Sequence, residues 1–276
     1  MGKLSVSLFA VLAACGSDAA KQTDAASQAV DAKVFMDAKV FMDAPPPPVY
    51  DFSCMGNAEP TVATATVTLS GTALEGTFVN GQFSADFPTG ATIKACVEGA
   101  ANCTNTNQYA TTTIDAQGAF SLGPIDTAAA PIKADVVYTK QGGRSVTVFP
   151  AGPIVKDQPS VFVLTFTDAA GIFLTGLGQQ AGNGALVLLA TDCKDTRFAD
   201  SASVTLSVKQ NGADVANTTV TDLGAQNAMA AGLFLVTNVP PGDTEVGATY
   251  KGMTLRSHTI KSIADANSET VIRPGY

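Results

Sequence analysis

Alternating apolar and polar residues dominate the chain from Asp51 onward. In Val62–Gly71, alanine, valine and leucine alternate with threonine and serine, and the segment Val204–Lys209 repeats this arrangement. A period of two residues places apolar side chains on one face of a strand and polar side chains on the other. Both segments are therefore predicted to be half-buried β-strands.

Further segments combine β-branched or aromatic residues with boundaries of Gly, Pro, Asn or Asp, which is typical of strands. They are Thr92–Val97, Ile132–Tyr138, Ser145–Phe149, Val161–Thr167, Ala185–Thr191, Thr244–Tyr250 and Met253–Ile260. No segment has the period of an amphipathic helix of three turns or more. Short strands with turn signals every 8–12 residues or so favour β-sandwiches, so the predicted fold class is all-β.

A glycine-rich stretch between Asp168 and Gly184 suggests a boundary between two modules. It predicts one small β-sandwich over residues 51–170 and a second over residues 180–276. A single sandwich of roughly 220 residues is the alternative, since all-β domains reach that size.

The N-terminus has the pattern of an export signal. Lys3 precedes the mostly apolar run Leu4–Leu12, which is far shorter than the roughly 20 apolar residues of a membrane span. The following Leu12-Ala13-Ala14-Cys15 resembles the lipobox of bacterial lipoproteins. The resemblance implies a signal peptide over residues 1–14 and lipidation of Cys15. An ordinary secretory signal cleaved after Gly16 remains the alternative.

Residues 15–50 are rich in Ala, Asp, Ser, Gln and Pro, and they are predicted to form a disordered tether. They contain a tandem copy, Asp31–Met36 followed by Asp37–Met42, and end in Pro45–Pro48, which favours an extended polyproline II spacer. The Val-Phe-Met repeat is interpreted as a duplication in a tolerant linker, with a docking motif as the alternative. Similar Asp-Ala-Pro-rich stalks follow the anchor in many lipoproteins of deltaproteobacteria.

The second module resembles the carboxypeptidase regulatory-like domain, a transthyretin-like β-sandwich. The matching residues are the turn Asn238-Val239-Pro240-Pro241-Gly242, Asp192 with Ala202 and Val204, and Thr221-Asp222. Thr244 and Ser201 depart from the family, which usually has Tyr and Gly there. In the first module Asp115–Phe120 resembles the family's hairpin, but no Pro-Pro-Gly turn follows it. The resemblance implies a fold and no active site, because this domain is normally an accessory module.

Four cysteines follow Cys15, and an even number in an exported chain suggests two disulfides with three pairings open. Cys96 and Cys103 enclose a short polar segment and are the favoured local pair. Cys54 and Cys193 would then form the second pair and link the two modules. A metal site is disfavoured, because Cys-x-x-Cys and a nearby His are both absent from the sequence.

The sequence offers little catalytic chemistry, and no catalytic residue, metal or cofactor is predicted. His258 is the sole histidine and shares a strand face with Thr254 and Arg256, which predicts a solvent-facing ring. Gly142–Ser145 lies between two predicted strands and is interpreted as a hairpin turn rather than an anion loop. Several acids at turns could cluster around Ca²⁺, but solvated turn acids are the simpler interpretation: Asp192, Asp195, Asp222 and Asp243.

The net charge is −8 and lysines and arginines form no run, so nucleic-acid binding is disfavoured. The leading hypothesis is a non-enzymatic lipoprotein of the cell envelope, anchored in the outer membrane, which presents its sandwiches for protein contact or envelope structure. Its partner is an envelope protein of unknown identity. Glycan binding is the second hypothesis, although Trp is absent and the tyrosines are scattered in the sequence. An envelope hydrolase is the third.

Overall fold

The computed structural model describes residues 48–79, 82–99, 103–141, 143–167, 174–225 and 230–276. The predicted signal peptide, Cys15 and both copies of the repeat lie outside the described residues. All strands described belong to the unit Pro47–Tyr276.

The described residues are almost entirely β-structure. The first eight strands are β1 (Thr66–Val79), β2 (Gln82–Asp86), β3 (Thr92–Val97), β4 (Gln108–Thr113), β5 (Ala119–Asp126), β6 (Ala134–Thr139), β7 (Val146–Phe149) and β8 (Gln158–Phe166). The others are β9 (Gly184–Ala190), β10 (Val204–Gln210), β11 (Ala213–Asp214), β12 (Thr219–Asp222), β13 (Leu233–Val239), β14 (Gly242–Tyr250), β15 (Met253–Thr254), β16 (His258–Ser262) and β17 (Asn267–Ile272). Within this part of the chain, helical residues are confined to 174–176, the 3₁₀ turn Ser201–Ser203 and residue 230. The predicted all-β fold class is confirmed.

The long strand β1 is the central strand of one sheet of the first sandwich. Its C-terminal part pairs with β2 and its N-terminal part with β5, both antiparallel, while β8 runs parallel along its other side. This sheet packs on β4, β3, β6 and β7, which are adjacent in a second sheet. Side chains between the two layers form an apolar core that includes Leu69, Ile93, Leu122, Tyr138 and Val163.

The second sandwich packs a sheet of β11, β10, β14, β15 and β16 on the strands β12, β13, β9 and β17. Its core includes Leu188, Phe198, Val236, Tyr250 and Ile260. The predicted strand Met253–Ile260 is divided into β15 and β16. Between them Leu255 is buried, and its amide donates to the carbonyl of Ala248.

One sheet of eight strands runs through both sandwiches, in the order β12-β13-β9-β17-β7-β6-β3-β4. The joining strand is β17, which pairs in parallel with β7 on one side and with β9 on the other. Strands from both predicted modules therefore share one sheet. The module boundaries at 170 and 180 remain a prediction.

A third apolar cluster lies on the opposite face of β9 and β13. It joins Val187 and Leu235 of these strands to Leu164 and Phe166 of β8. Strands β9 and β13 are thus covered on both faces. Because such strands lose the apolar–polar alternation, β9 is a continuous apolar run and β13 begins with four apolar residues.

Two disulfides are present, and they are the pairs that the cysteine spacing favours. Cys96–Cys103 closes a local loop across a sequence separation of 7 residues. Cys54–Cys193 joins the start of the described chain to the turn after β9, across a separation of 139 residues. The second disulfide fixes that turn to the N-terminal segment.

Two turns contain residues with positive φ. Pro240 and Pro241 connect β13 to β14, and Asn238 near the end of β13 has a positive φ of 64°. In the first sandwich Gly118 has φ 75°, and a Cβ there would lie 2.7 Å from the carbonyl oxygen of Ala73. Glycine is therefore needed at this turn both for its backbone conformation and for the close approach of β1.

Candidate functional site

A cavity of about 190 Å³ lies between β8 and the face of the eight-stranded sheet. Among the described residues β8 pairs with a single strand, β1, so its other edge borders this cavity. The floor is formed by β7, β17 and β9, and the segment 149–154 after β7 contributes a side wall. The cavity thus lies where the two sandwiches meet and is partly open to solvent.

The register of the sheet explains which side chains line the floor. Glu269 of β17 lies opposite Val148 of β7 and Val187 of β9, and Val271 lies opposite Leu189. Alternate residues of a strand point to the same face, so these side chains form adjacent rows. Arg273 continues the β17 row beyond the end of the strand.

Glu269 is the buried acid of the cavity wall, with only 3% of its surface exposed. Its two carboxyl oxygens lie 2.9 and 3.0 Å from the amide nitrogen of Leu164, which donates to them from the edge of β8. Burial raises the pKa of Glu269 well above its usual range, and the Leu164 hydrogen bond opposes that rise. The carboxyl group therefore ties β8 to the sheet.

Three charged side chains lie at the other end of the floor. Asp195 is exposed, and its Oδ1 lies 3.6 Å from Nη1 of Arg273. The guanidinium carbon of Arg197 lies 4.9 Å from the centre of the Phe162 ring. Burial lowers the pKa of Arg197 from its usual value. This end of the cavity is therefore charged, whereas the walls between it and Glu269 are mainly apolar.

The turn that carries Asp195 and Arg197 is held in place by hydrogen bonds to the side chain of Asp192. Asp192 is buried, and its Oδ1 accepts hydrogen bonds of 2.8 Å from the amides of Lys194 and Thr196. Its Oδ2 accepts a 2.9 Å hydrogen bond from the amide of Asp51. Together with the adjacent Cys54–Cys193 disulfide, these bonds give the turn a defined position.

His258 lies on the other side of β17, where its environment differs from the predicted one. Its Nε2 is 2.7 Å from Oγ1 of Thr270, which also donates to the carbonyl of Phe149. Burial, with the neighbouring charges of Arg256 and Arg273, lowers the pKa of His258 to about 4. The prediction of a solvent-facing ring is wrong, because the ring packs against Thr270 of β17 and its Nδ1 is buried.

The arrangement around His258 is not that of a catalytic base. Its second ring nitrogen, Nδ1, is buried without a hydrogen-bond partner among the described residues. In a catalytic triad an orienting carboxylate bonds to that nitrogen. The ring is held by a threonine that is itself engaged with the backbone.

The predicted turn acids are not brought together. Asp192 caps its own turn, Asp195 pairs with Arg273, and Asp222 accepts from the hydroxyl of Ser201 and from the amide of Ala225. Asp243 is exposed opposite Lys261. Within the described ranges, His, Cys, Asp and Glu form no group of three or more that could hold a metal ion.

Two of the tyrosines that are scattered in the sequence meet in the structure. The ring centres of Tyr50 and Tyr250 are 5.5 Å apart. Phe198 stacks on Tyr250 with centres 4.0 Å apart, and Phe52 packs against both rings. Because the rings cover one another in the second core, they form a buried cluster rather than an open platform for a sugar.

The sequence analysis missed the residues that distinguish the cavity. No sequence motif contains Glu269, Arg197 or Arg273, and Asp195 was considered only as an acid at a turn. One signal was available: Glu269 is followed by Thr-Val-Ile, a run with high strand propensity. A single acid next to such a run is consistent with a strand that carries one buried charge.

Comparison with known proteins leaves the chain without an assigned family. No family model matches it, and neither does any curated protein. Among the residues that the structure describes, helices of the length and apolarity needed to cross a membrane are absent.

Several solved structures show a distant likeness. The TIE protein of Bacillus anthracis is 10% identical over 76% of this chain, with a TM-score of 0.25, and this chain spans only 34% of its length. The shaft pilin SpaA of Lactobacillus rhamnosus GG is 11% identical over 79% of this chain and 99% of its own, with a TM-score of 0.22. A fimbrial protein of Bacteroides ovatus is 9% identical over 80% of this chain and 50% of its own, with a TM-score of 0.21. At these TM-scores the likeness identifies neither a fold family nor a function.

Proposed function

We propose that the chain is a non-enzymatic lipoprotein of the cell envelope, anchored through Cys15, which presents its β-sandwiches for protein contact or envelope structure. The observation that carries the proposal is the use of the cysteines. Four of the five are paired with one another in two disulfides, so Cys15 is excluded from both. Disulfides favour an exported protein, and a cysteine directly after a short apolar run is the lipidation position of an export signal.

The non-enzymatic part of the proposal rests on how the candidate catalytic groups are used. The imidazole of His258 bonds to Thr270, and the carboxylate of Asp192 bonds to three backbone amides. Both groups are engaged in hydrogen bonds that stabilise the fold. A catalytic acid or base would need the same atoms to be available to a substrate. This use of the candidate groups supports a contact role over catalysis.

The anchor is tested by the intact mass of the protein purified from the membrane fraction, with and without reductant. We expect a chain that begins at Cys15 and carries three acyl chains, and a gain of about 4 Da on reduction because two disulfides open. The Cys15→Ser variant should lose the acyl mass and leave the membrane fraction. An unmodified chain that begins near Ser17 would contradict the proposal.

The contact role is tested separately by crosslinking in intact cells, followed by purification of the lipidated full chain. We expect an envelope protein to be enriched over a Cys15→Ser control that lacks the anchor. Turnover of an envelope polymer that is lost on replacing His258 or a single aspartate would instead support an envelope hydrolase and overturn the proposal.

A further inference from the structure

We propose that the cavity between β8 and the eight-stranded sheet binds a small organic monocarboxylate, with its apolar body inside and its carboxylate at the charged end. The proposal goes beyond the anchoring and contact role and does not depend on either. It rests on the size of the cavity, its apolar walls and the guanidinium groups at one end.

The size of the cavity limits the class of ligand. Its volume is about 190 Å³. An apolar protein cavity of about 150 Å³ holds a benzene molecule. The apolar body of the ligand is therefore a single ring or a short branched chain with one or two further carbons.

The walls favour an apolar body. The floor contributes Val148, Val187, Leu189 and Val271, and the β8 side contributes Val161 and Phe162. Apolar surface of this kind gains free energy when a hydrocarbon group replaces water beside it. The ring or chain of the ligand is expected to lie along the Val271–Leu189 row, between the two ends of the cavity.

The charged end favours an anionic head group. It carries the two guanidinium groups of Arg197 and Arg273 and the single carboxylate of Asp195. The positive charge is therefore in excess by one. A guanidinium presents several N–H donors in one plane, which matches the two oxygens of a carboxylate.

The inner end does not favour a cationic head group. Glu269 is the acid there, and the amide of Leu164 donates to its carboxyl oxygens, which holds the group against β8. At the charged end an ammonium group would lie beside Arg197 and Arg273, which carry the same charge. An amine of the same shape is therefore expected to bind more weakly than the acid.

The position of the arginine-bearing turn supports a preformed site. Cys193 of that turn is bonded to Cys54, and Asp192 caps its amides. Little ordering is then required when the ligand binds, which favours affinity.

The test compares three probes that differ only in the head group: 3-phenylpropanoate, 3-phenylpropan-1-ol and 3-phenylpropylamine. Each is titrated by calorimetry into the full chain carrying Cys15→Ser, so that no detergent competes for the cavity. We expect saturable one-to-one binding of the acid, tighter by about tenfold than that of the alcohol, and weaker binding of the amine.

Substitutions locate the binding. Arg197→Gln should weaken acid binding about tenfold and leave alcohol binding within about twofold. Lys261→Gln is the matched control, since it removes one positive charge from an exposed position on β16 and should change neither. Val271→Phe should abolish binding of both probes by filling the cavity. If Val271→Phe prevents folding, Val271→Leu takes its place as the test. It adds one methylene group and should weaken binding of both probes.

Three results would overturn the proposal. The first is failure of the acid to bind at millimolar concentration. The second is amine binding as tight as acid binding. The third is acid binding that Arg197→Gln leaves unchanged, which would place the probe elsewhere. Lipidation of Cys15 is read from the mass of the membrane-fraction protein, so the two proposals can fail independently.

Discussion

Strands β9 and β17 are neighbours in the same sheet, run parallel to each other and are both buried, yet their sequences have little in common. The sequence of β9 is Gly-Ala-Leu-Val-Leu-Leu-Ala, whereas β17 is Asn-Ser-Glu-Thr-Val-Ile. One is the expected sequence of a central strand, and the other has the composition of an exposed edge. The difference shows that two separate kinds of interaction can bury adjacent strands.

Burial of β9 depends on apolar packing on both faces. Leu186 and Leu188 point into the second sandwich core, while Ala185 and Val187 point into the third cluster. Each side chain is stabilised by removal of apolar surface from water, which is roughly proportional to area and needs no specific partner.

Burial of β17 depends on specific partners. Nε of Arg144 donates to Oδ1 of Asn267 at 3.2 Å, and Oγ of Ser268 donates to the carbonyl of Lys261 at 2.6 Å. Glu269 accepts from the amide of Leu164, as described above. These partners lie in the β6–β7 turn, in β16 and in β8, so the polar side chains tie β17 to three different neighbours. A buried polar group with its hydrogen bonds made is tolerated, but one left without them is costly.

The largest effect is expected from truncating the apolar strand. Leu188 is fully buried, and Leu188→Ala should lower the free energy of unfolding by about 2–5 kcal/mol, because it loses apolar burial and leaves a cavity. Chemical denaturation measures this change. Val220→Ala, at an exposed position of β12, is the control and should change stability by less than about 0.5 kcal/mol. A comparable loss in both variants would contradict the packing account of β9.

A smaller effect is expected from removing one hydroxyl group from β17. Thr270→Val keeps the shape of the side chain but leaves the carbonyl of Phe149 and the ring of His258 without their partner. The expected loss of unfolding free energy is about 1–3 kcal/mol. Thr205→Val on β10 is the exposed control. If Thr270→Val proves neutral, the hydroxyl contributes nothing and β17 is held by its ladder alone.

The smallest expected effect is a pH dependence of the folding stability that arises from His258, which packs against β17. The pKa of His258 is lowered to about 4 in the folded protein, from an ordinary value of about 6.5. The unfolded chain therefore takes up the proton first on acidification, so stability falls as the pH drops from about 6.5 towards 4. The ring is only partly buried, and screening by solvent reduces this contribution to about 1 kcal/mol.

His258→Gln removes that titration and can still bond to Thr270. The gap in stability between the natural chain and the variant should therefore change by about 1 kcal/mol between pH 7 and pH 4. Thermal unfolding of both proteins over this range measures it. Other titrating groups are common to both and cancel in the difference. A gap that stays constant with pH would mean that the ring titrates alike in the folded and unfolded states.

Much of the fold could be predicted from residue patterns. Strand β3 has the predicted bounds Thr92–Val97, β7 begins one residue later than predicted, and β9 is shifted by one residue at both ends. Strand β13 was missed because both of its faces are covered, which removes the alternation that identifies a half-buried strand. Strand β17 was missed because four polar residues open it, and their partners are distant in sequence.

The cavity could not be predicted for the same reason. It depends on parallel pairing of β17 with two strands that lie far apart in the chain, and on a turn held by the Cys54–Cys193 disulfide. That disulfide was predicted as the pair left over once Cys96 and Cys103 were joined, but the prediction carried no information about Arg197. Local patterns determine strands, whereas the meeting of Glu269, Arg197 and Arg273 around one cavity follows from the tertiary fold.

The central claim is that β17, despite its polar sequence, is a fully integrated strand that joins the two sandwiches and forms the floor of the cavity. Native-state hydrogen exchange, read residue by residue, tests it most directly. We expect the hydrogen-bonded amides of β17 to exchange as slowly as those of β9, because both should open only when the whole fold opens. Exchange in β17 that is orders of magnitude faster than in β9 would show a strand that opens locally and would contradict the account.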